Sequence, residues 1–166
     1  MSTTADGPTD QDIEHLRATV GVAVRSRKNG NHPFGAVLAG PDGRVLLEAE
    51  NSVVTGRDAT GHAETNLVRA ASAAYDPKFL LTCTLYTSTE PCAMCSGAIY
   101  WGGIGRVVYA LGEDQLLALT GADLENPTMA LPCRRVFAAG QRPLPVVGPV
   151  DLPEARAVHD GFWNRG

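Results

Sequence analysis

At 166 residues the chain has room for one domain with a sizeable core and needs no disulfide staples. Hydrophobic residues make up 44% and charged residues 19%, which excludes a disordered chain, and no apolar run approaches the ~18 residues of a membrane span. A net charge of −4 and a pI near 5.5 set the overall field against nucleic acid, leaving RNA only a local patch.

Residues 1–9 are small and polar with Pro and Gly, and read as a flexible tail. They carry neither a basic nor an apolar region of the kind a signal peptide needs. Four cysteines, two of them in a Cys-x-x-Cys, fit a metal site in a reducing cytoplasm better than a disulfide framework. With Asp10 or Asp12 as N-cap, Ile13, Leu16, Val20, Ala23 and Val24 recur at helical spacing, giving a first helix that stops near Lys28-Asn29-Gly30. Phe34 to Ala39 reads as a buried strand, Pro41-Asp42-Gly43 as a turn, and Arg44 to Glu50 as the returning strand of a hairpin.

Asn51 to Gly61 is a polar connection leading into a second helix, His62 to Ala74, with Leu67, Val68, Ala71 and Ala74 on one stripe. Thr82 to Ser88 alternates as a strand, and Pro91 suits the first turn of a third helix. Arg106 to Leu111 is another strand, followed by a short helix from Glu113 to Leu119 and a loop through Asn126-Pro127. Pro143 to Val147 fits an edge strand, where a missing N–H is tolerated. Leu152 to His159 is a modest last helix before Phe162-Trp163. Strands alternating with helices predict an α/β layer sandwich, one domain over 10–166, with 151–166 its C-terminal helix and aromatic tail.

The chemistry gathers in two short stretches, His62-Ala63-Glu64 and Thr89-Glu90-Pro91-Cys92-Ala93-Met94-Cys95. Cys92 and Cys95 are three apart, so on a helix they share a face and reach one ion, their thiolates favoured near a helix N-terminus. His62 supplies a third ligand, and three protein ligands with an open position are the pattern of a catalytic zinc. A closed structural zinc would need a fourth ligand from Cys83, Cys133, His15, His32 or His159, none of which has a paired spacing. Residues two apart point ~200° from one another on a helix, so His62 and Glu64 converge on a metal only in a first turn, with Thr60 and Gly61 as suitable caps.

His62-Ala63-Glu64 followed by Pro91-Cys92-x-x-Cys95 resembles the zinc-deaminase signature. The likeness runs from about Pro33 to Ala110, through Pro33-Phe34-Gly35-Ala36-Val37, Asn51, Leu85-Tyr86-Thr87-Ser88 and Gly97-Ala98-Ile99-Tyr100-Trp101. It is similar to the cytidine-deaminase-like branch that holds guanine deaminases, cytosine deaminases and tRNA adenosine deaminases. The Gly-Ala-Ile-Tyr-Trp run is most like the guanine enzymes and Ile104 to Tyr109 more like the tRNA enzymes. The family's usual Asp-Pro-Thr-Ala-His reads Asp58-Ala59-Thr60-Gly61-His62 here.

The resemblance implies a three-layer α/β/α sandwich around a mixed sheet of about five strands. It implies Zn2+ on His62, Cys92 and Cys95, and hydrolytic deamination of a free base: guanine first, then cytosine or an amino-triazine. Glu64 would carry the protons, a role worth ~10²–10⁴ in rate. The backbone N–H groups of Ala63 and Cys92 are candidates for stabilising developing charge. Asn51 matches the Asn that contacts the base in related deaminases and equally fits a turn; Phe34 fits either the core or a base-stacking wall. Glu90 joins the substrate-binding candidates, as does Asp114, with Glu113 the alternative acid after Leu111. Phe162 and Trp163 read as a lid on the site or a patch buried in a partner, since in similar deaminases the C-terminal segment closes the site or exchanges across a homodimer. A tRNA-specific adenosine deaminase is the alternative, supported by Arg106 and by Arg134, Arg135 and Arg142.

Overall fold

The computed structural model describes residues 7–164. The first six residues of the expected tail lie outside them, and the rest of that tail is put to use. Thr9, rather than Asp10 or Asp12, caps α1 (Asp10–Lys28): its hydroxyl accepts from Asp12 N at 3.1 Å while Asp12 Oδ2 accepts from Thr9 N at 3.0 Å. Leu16, Val20 and Ala23 are buried as their spacing predicts, but Val24 lies at the margin of the stripe and is exposed, with Val22 taking an inward position.

The hairpin of β1 (Gly35–Ala39) and β2 (Val45–Glu50) is antiparallel, with a register shift between Leu38 and Ala39. After α2 (Ala63–Ala74) comes a single turn, α3 (Pro77–Leu80), that the sequence reading missed. β3 (Thr84–Thr89) pairs antiparallel with β1 and parallel with β4 (Arg106–Leu111), which α4 (Ala93–Trp101) connects. α5 (Glu113–Thr120), the unforeseen α6 (Cys133–Ala138), the two-residue edge strand β5 (Val146–Val147) and α7 (Pro153–Ala157) complete the chain. The sheet order is β2-β1-β3-β4-β5, the mixed five-stranded sheet expected.

Strand alternation divides the core in two. Ala36, Leu38, Leu85, Val107 and Tyr109 share a core with α2, α4 and α6 through Leu67, Ile99 and Phe137. Val37, Ala39, Tyr86, Val108 and Ala110 face α1 and α7 through Leu16, Val20 and Ala155. The two faces make the sandwich three layers. They also bring the C-terminal ends of the adjacent parallel strands β3 and β4 together, at the pair Thr89 and Leu111, where α4 and α5 begin. Ligand sites of open α/β sheets sit at such ends.

Candidate metal centre and catalytic pocket

His62 is the N-cap of α2, with extended backbone (φ −71°, ψ 151°), and Cys92 is the N-cap of α4. The expected positions shift accordingly: Thr60 and Gly61 precede the cap, and Pro91 lies outside α4 rather than in its first turn. With His62 off the helix and Glu64 in its first turn, the ~200° conflict disappears. His62 Nδ1 lies 3.5 Å from Cys92 Sγ and 3.5 Å from Cys95 Sγ. Zn–N near 2.05 Å and Zn–S near 2.3 Å at a tetrahedral angle require an N···S edge of about 3.6 Å, so the cage has the dimensions of zinc. Among the described residues no further His, Cys, Asp or Glu joins these three ligands, which leaves a coordination position open.

The cluster of ionisable groups fits a cation. Cys92 is held down to about 4 by the hydrogen bond from Cys95 and by His62 beside it, and Cys95 is raised in turn, chiefly by its Cys92 partner and by burial. His62 is raised, first through its contact with Cys92. Burial and the neighbouring Cys92 raise Glu64. Glu113 is pushed up to about 8 by burial, then by Cys92, Glu90 and Glu64. So many acids around one imidazole fit a bound dication.

Glu64 is buried with its carboxylate aimed at the cage: Oε1 accepts from Thr87 Oγ1 at 2.8 Å, and Oε2 is 3.6 Å from Cys95 Sγ. The cavity beside it is lined by Phe34, Thr89, Glu90, Glu113, Leu116 and Asn126 together with His62, Glu64 and Cys92. Its free volume is about 40 Å³, enough for a water and short of a base.

Residues 9–111 match the family described as cytidine and deoxycytidylate deaminase zinc-binding region. The chain belongs to that family. It is 41% identical over 157 residues to a probable cytosine deaminase of Schizosaccharomyces pombe, covering 95% of each chain. It is 47% identical over 78 residues to a guanine deaminase of Bacillus subtilis, covering 47% of this chain and 49% of the relative. A guanine deaminase structure from Nitrosomonas europaea superposes with a TM-score of 0.73 at 25% identity, covering 92% of this chain and 83% of the other. Within this zinc-binding deaminase domain, His62, Cys92 and Cys95 are positioned as possible zinc ligands.

The remaining expected site residues of this deaminase fall into two groups. Glu113 faces the cavity, whereas Asp114 is exposed, because the first turn of α5 turns successive side chains apart. Glu90 lines the wall but spends both oxygens on backbone: Oε1 accepts from Glu113 N at 3.0 Å and Oε2 from Cys133 N at 2.9 Å. It fastens the N-termini of α5 and α6. Asn51 is buried, its Oδ1 accepting from Val53 N at 3.0 Å, and is set back from the cavity lining. Ala63 is fully buried as the first residue of α2 and does not line the cavity.

Phe162 and Trp163 are buried against their own chain without lining the cavity, so seating the tail requires no exchange between subunits. Trp163 Nε1 donates to His159 Nδ1 at 3.0 Å, and the rings of His159 and Trp163 pack around Phe34, which does line the cavity. Arg27 donates to the Val158 and Asp160 carbonyls and lies over the Phe162 ring. The tail backs the site's wall. Thr87 and Thr89 escaped sequence reasoning as individual site residues, although their alternation on β3 places them on one face.

Proposed function

We propose that this chain hydrolytically deaminates a free nucleobase, guanine first, with cytosine and amino-triazines behind it. Water replaces an exocyclic amine on an amidine carbon, and ammonia leaves. The observation that carries this reading is the seat of Glu64, a buried carboxylate 3.6 Å from a zinc-ligand sulfur and opening onto the cavity. When bound, zinc supplies the Lewis acidity that makes water a nucleophile near neutral pH. Glu64 takes the water proton, delivers it to a ring nitrogen and then serves the leaving amine. Glu113 accepts from N–H groups on the far edge of the ring, and Phe34 offers an apolar wall to its face.

Of the four arginines behind the anticodon-loop alternative, Arg106, Arg134 and Arg142 are engaged within the chain. Arg106 is spent on Asp12, with Nη1 and Nη2 each 2.8 Å from a carboxylate oxygen. Arg134 donates to the Tyr109 hydroxyl and to the Val146 and Gly148 carbonyls, and Arg142 to the carbonyls of Ile99, Tyr100 and Ile104. RNA needs several free phosphate contacts. No described helix is long and apolar enough to cross a membrane, and all four cysteines are free thiols, in keeping with a reducing cytoplasm. A homodimer fits the outer face of α4, where Met94 and Trp101 are exposed beside open space at Gly97.

An ammonia-release screen tests the reading: guanine, cytosine, adenine, their nucleosides, amino-triazines and an anticodon stem-loop, with Glu64→Ala as blank. Turnover of guanine or cytosine supports it. Turnover of the stem-loop alone overturns it.

A further inference from the structure

Thr87 and Thr89 stand two apart on β3 and therefore face the same side of the sheet, toward Glu64. Their hydroxyls meet different fates. Thr87 Oγ1 is satisfied by Glu64 and by the Thr89 carbonyl. Thr89 Oγ1 is buried without any hydrogen-bond partner, one of only two such side-chain atoms among the described residues. The residue is 2% exposed and lines the cavity with Glu64, Glu113 and Asn126.

A buried hydroxyl without a partner destabilises the protein that keeps it, and native structures rarely retain one without a ligand or water to meet it. The cavity supplies the occasion. Glu64 and Glu113 are carboxyl groups, and one of the two Asn126 amide N–H groups already donates to Thr128 Oγ1 at 2.7 Å. Thr89 lines this wall, and its unpartnered hydroxyl is suited to donate to an acceptor on the substrate ring other than the nitrogen that Glu64 serves.

We propose that Thr89 Oγ1 is a specificity-determining contact, donating a hydrogen bond to an sp² acceptor of the bound base, a carbonyl oxygen or a ring nitrogen other than the one that receives the Glu64 proton. The inference rests on the nucleobase reading above and adds to it the residue that reads that acceptor. Since threonine and valine have nearly the same shape, Thr89→Val removes the hydroxyl without opening a cavity. In the absence of base it also removes the unpaired group, so the variant should unfold at or above the wild-type Tm.

The experiment compares zinc-loaded wild type, Thr89→Val and Thr89→Ser in three measurements: zinc content, Tm without base, and kcat/KM on guanine and cytosine. We expect one zinc per chain in all three and no fall in Tm for Thr89→Val. Its kcat/KM should drop about 10- to 100-fold, while Thr89→Ser stays within about threefold of wild type. An active wild type matched by Thr89→Val overturns the contact alone. A Thr89→Val protein whose lost activity tracks lost zinc or lowered Tm overturns it too, since the hydroxyl would then be structural. A wild type inert toward every free base overturns the nucleobase reading, and this contact with it.

Discussion

The Thr87 hydroxyl donates to Glu64 Oε1 at 2.8 Å while lying 2.9 Å from the Thr89 carbonyl, so one side chain on β3 orients Glu64, the proposed proton carrier, beside the three metal-ligating side chains. Glu64→Ala should keep its zinc and lose ~10²–10⁴ in kcat. Thr87→Val should lower kcat about tenfold with KM within about twofold, and Thr87→Ser should recover most of it. Steady-state kinetics with zinc analysis checks this; equal kcat in Thr87→Val and wild type would remove the positioning role.

A zinc held by His62, Cys92 and Cys95 would join the N-termini of α2 and α4, two segments thirty residues apart in sequence. Purified protein should carry one zinc per chain, and Cys92→Ser should carry far less. Chelation should abolish turnover and lower Tm, and added zinc should restore both. Elemental analysis beside thermal unfolding reads the outcome; full activity in metal-free protein would refute it.

Asp12 and Arg106 form a bidentate pair whose carboxylate also accepts from the Tyr86 hydroxyl at 2.9 Å and from Thr9 N. Burial works to raise the Asp12 pKa, but the bonds from Arg106, Thr9 and Tyr86 hold it well below the usual carboxylate range. Because the folded value is depressed, the stabilisation is full above the ordinary 3.8 and is lost as pH falls below it. Asp12→Ala strands Arg106 and should cost ~3–5 kcal/mol in urea unfolding at neutral pH. A loss below about 1 kcal/mol would show the network to be dispensable.

His159 is buried and held down to about 4 from an ordinary 6.5, by burial first and then by Arg27 and Arg156. Its neutral Nδ1 accepts from Trp163, a bond that protonation abolishes. A depressed histidine pKa means that stability declines as pH drops from 6.5 and levels off near 4, by about 3 kcal/mol in all. In a Trp101→Phe background, Trp163 fluorescence should report the tail leaving Phe34 across that window, and His159→Phe should flatten the response. A signal unchanged between pH 7 and 4 would contradict it.

Much of the site was legible because its ligands are local. Cys92 and Cys95 are three apart and Glu64 two from His62, so helix geometry alone placed the cage at two helix starts. α3 and α6 escaped because four and six residues complete too few turns to show a period. Arg134, Arg135 and Arg142 read as a small basic group beside Arg106 because sequence carries no sign of which acceptors a guanidinium will meet; in the fold Arg106, Arg134 and Arg142 meet theirs.

The sequence by itself offered three ligand types and a carboxylate in two short stretches, and its family resemblance implied the deaminase chemistry. Alternating strands and helices gave an α/β sandwich, and the resemblance implied its three layers. Only the tertiary structure decided what surrounds the metal. It turned Glu113 rather than Asp114 into the cavity, gave Glu90 to two helix N-termini, seated Phe162 and Trp163 behind Phe34, and left the Thr89 hydroxyl without a partner. Those outcomes depend on contacts between segments tens of residues apart, and a side chain's periodicity gives its face but not which distant group it will meet there.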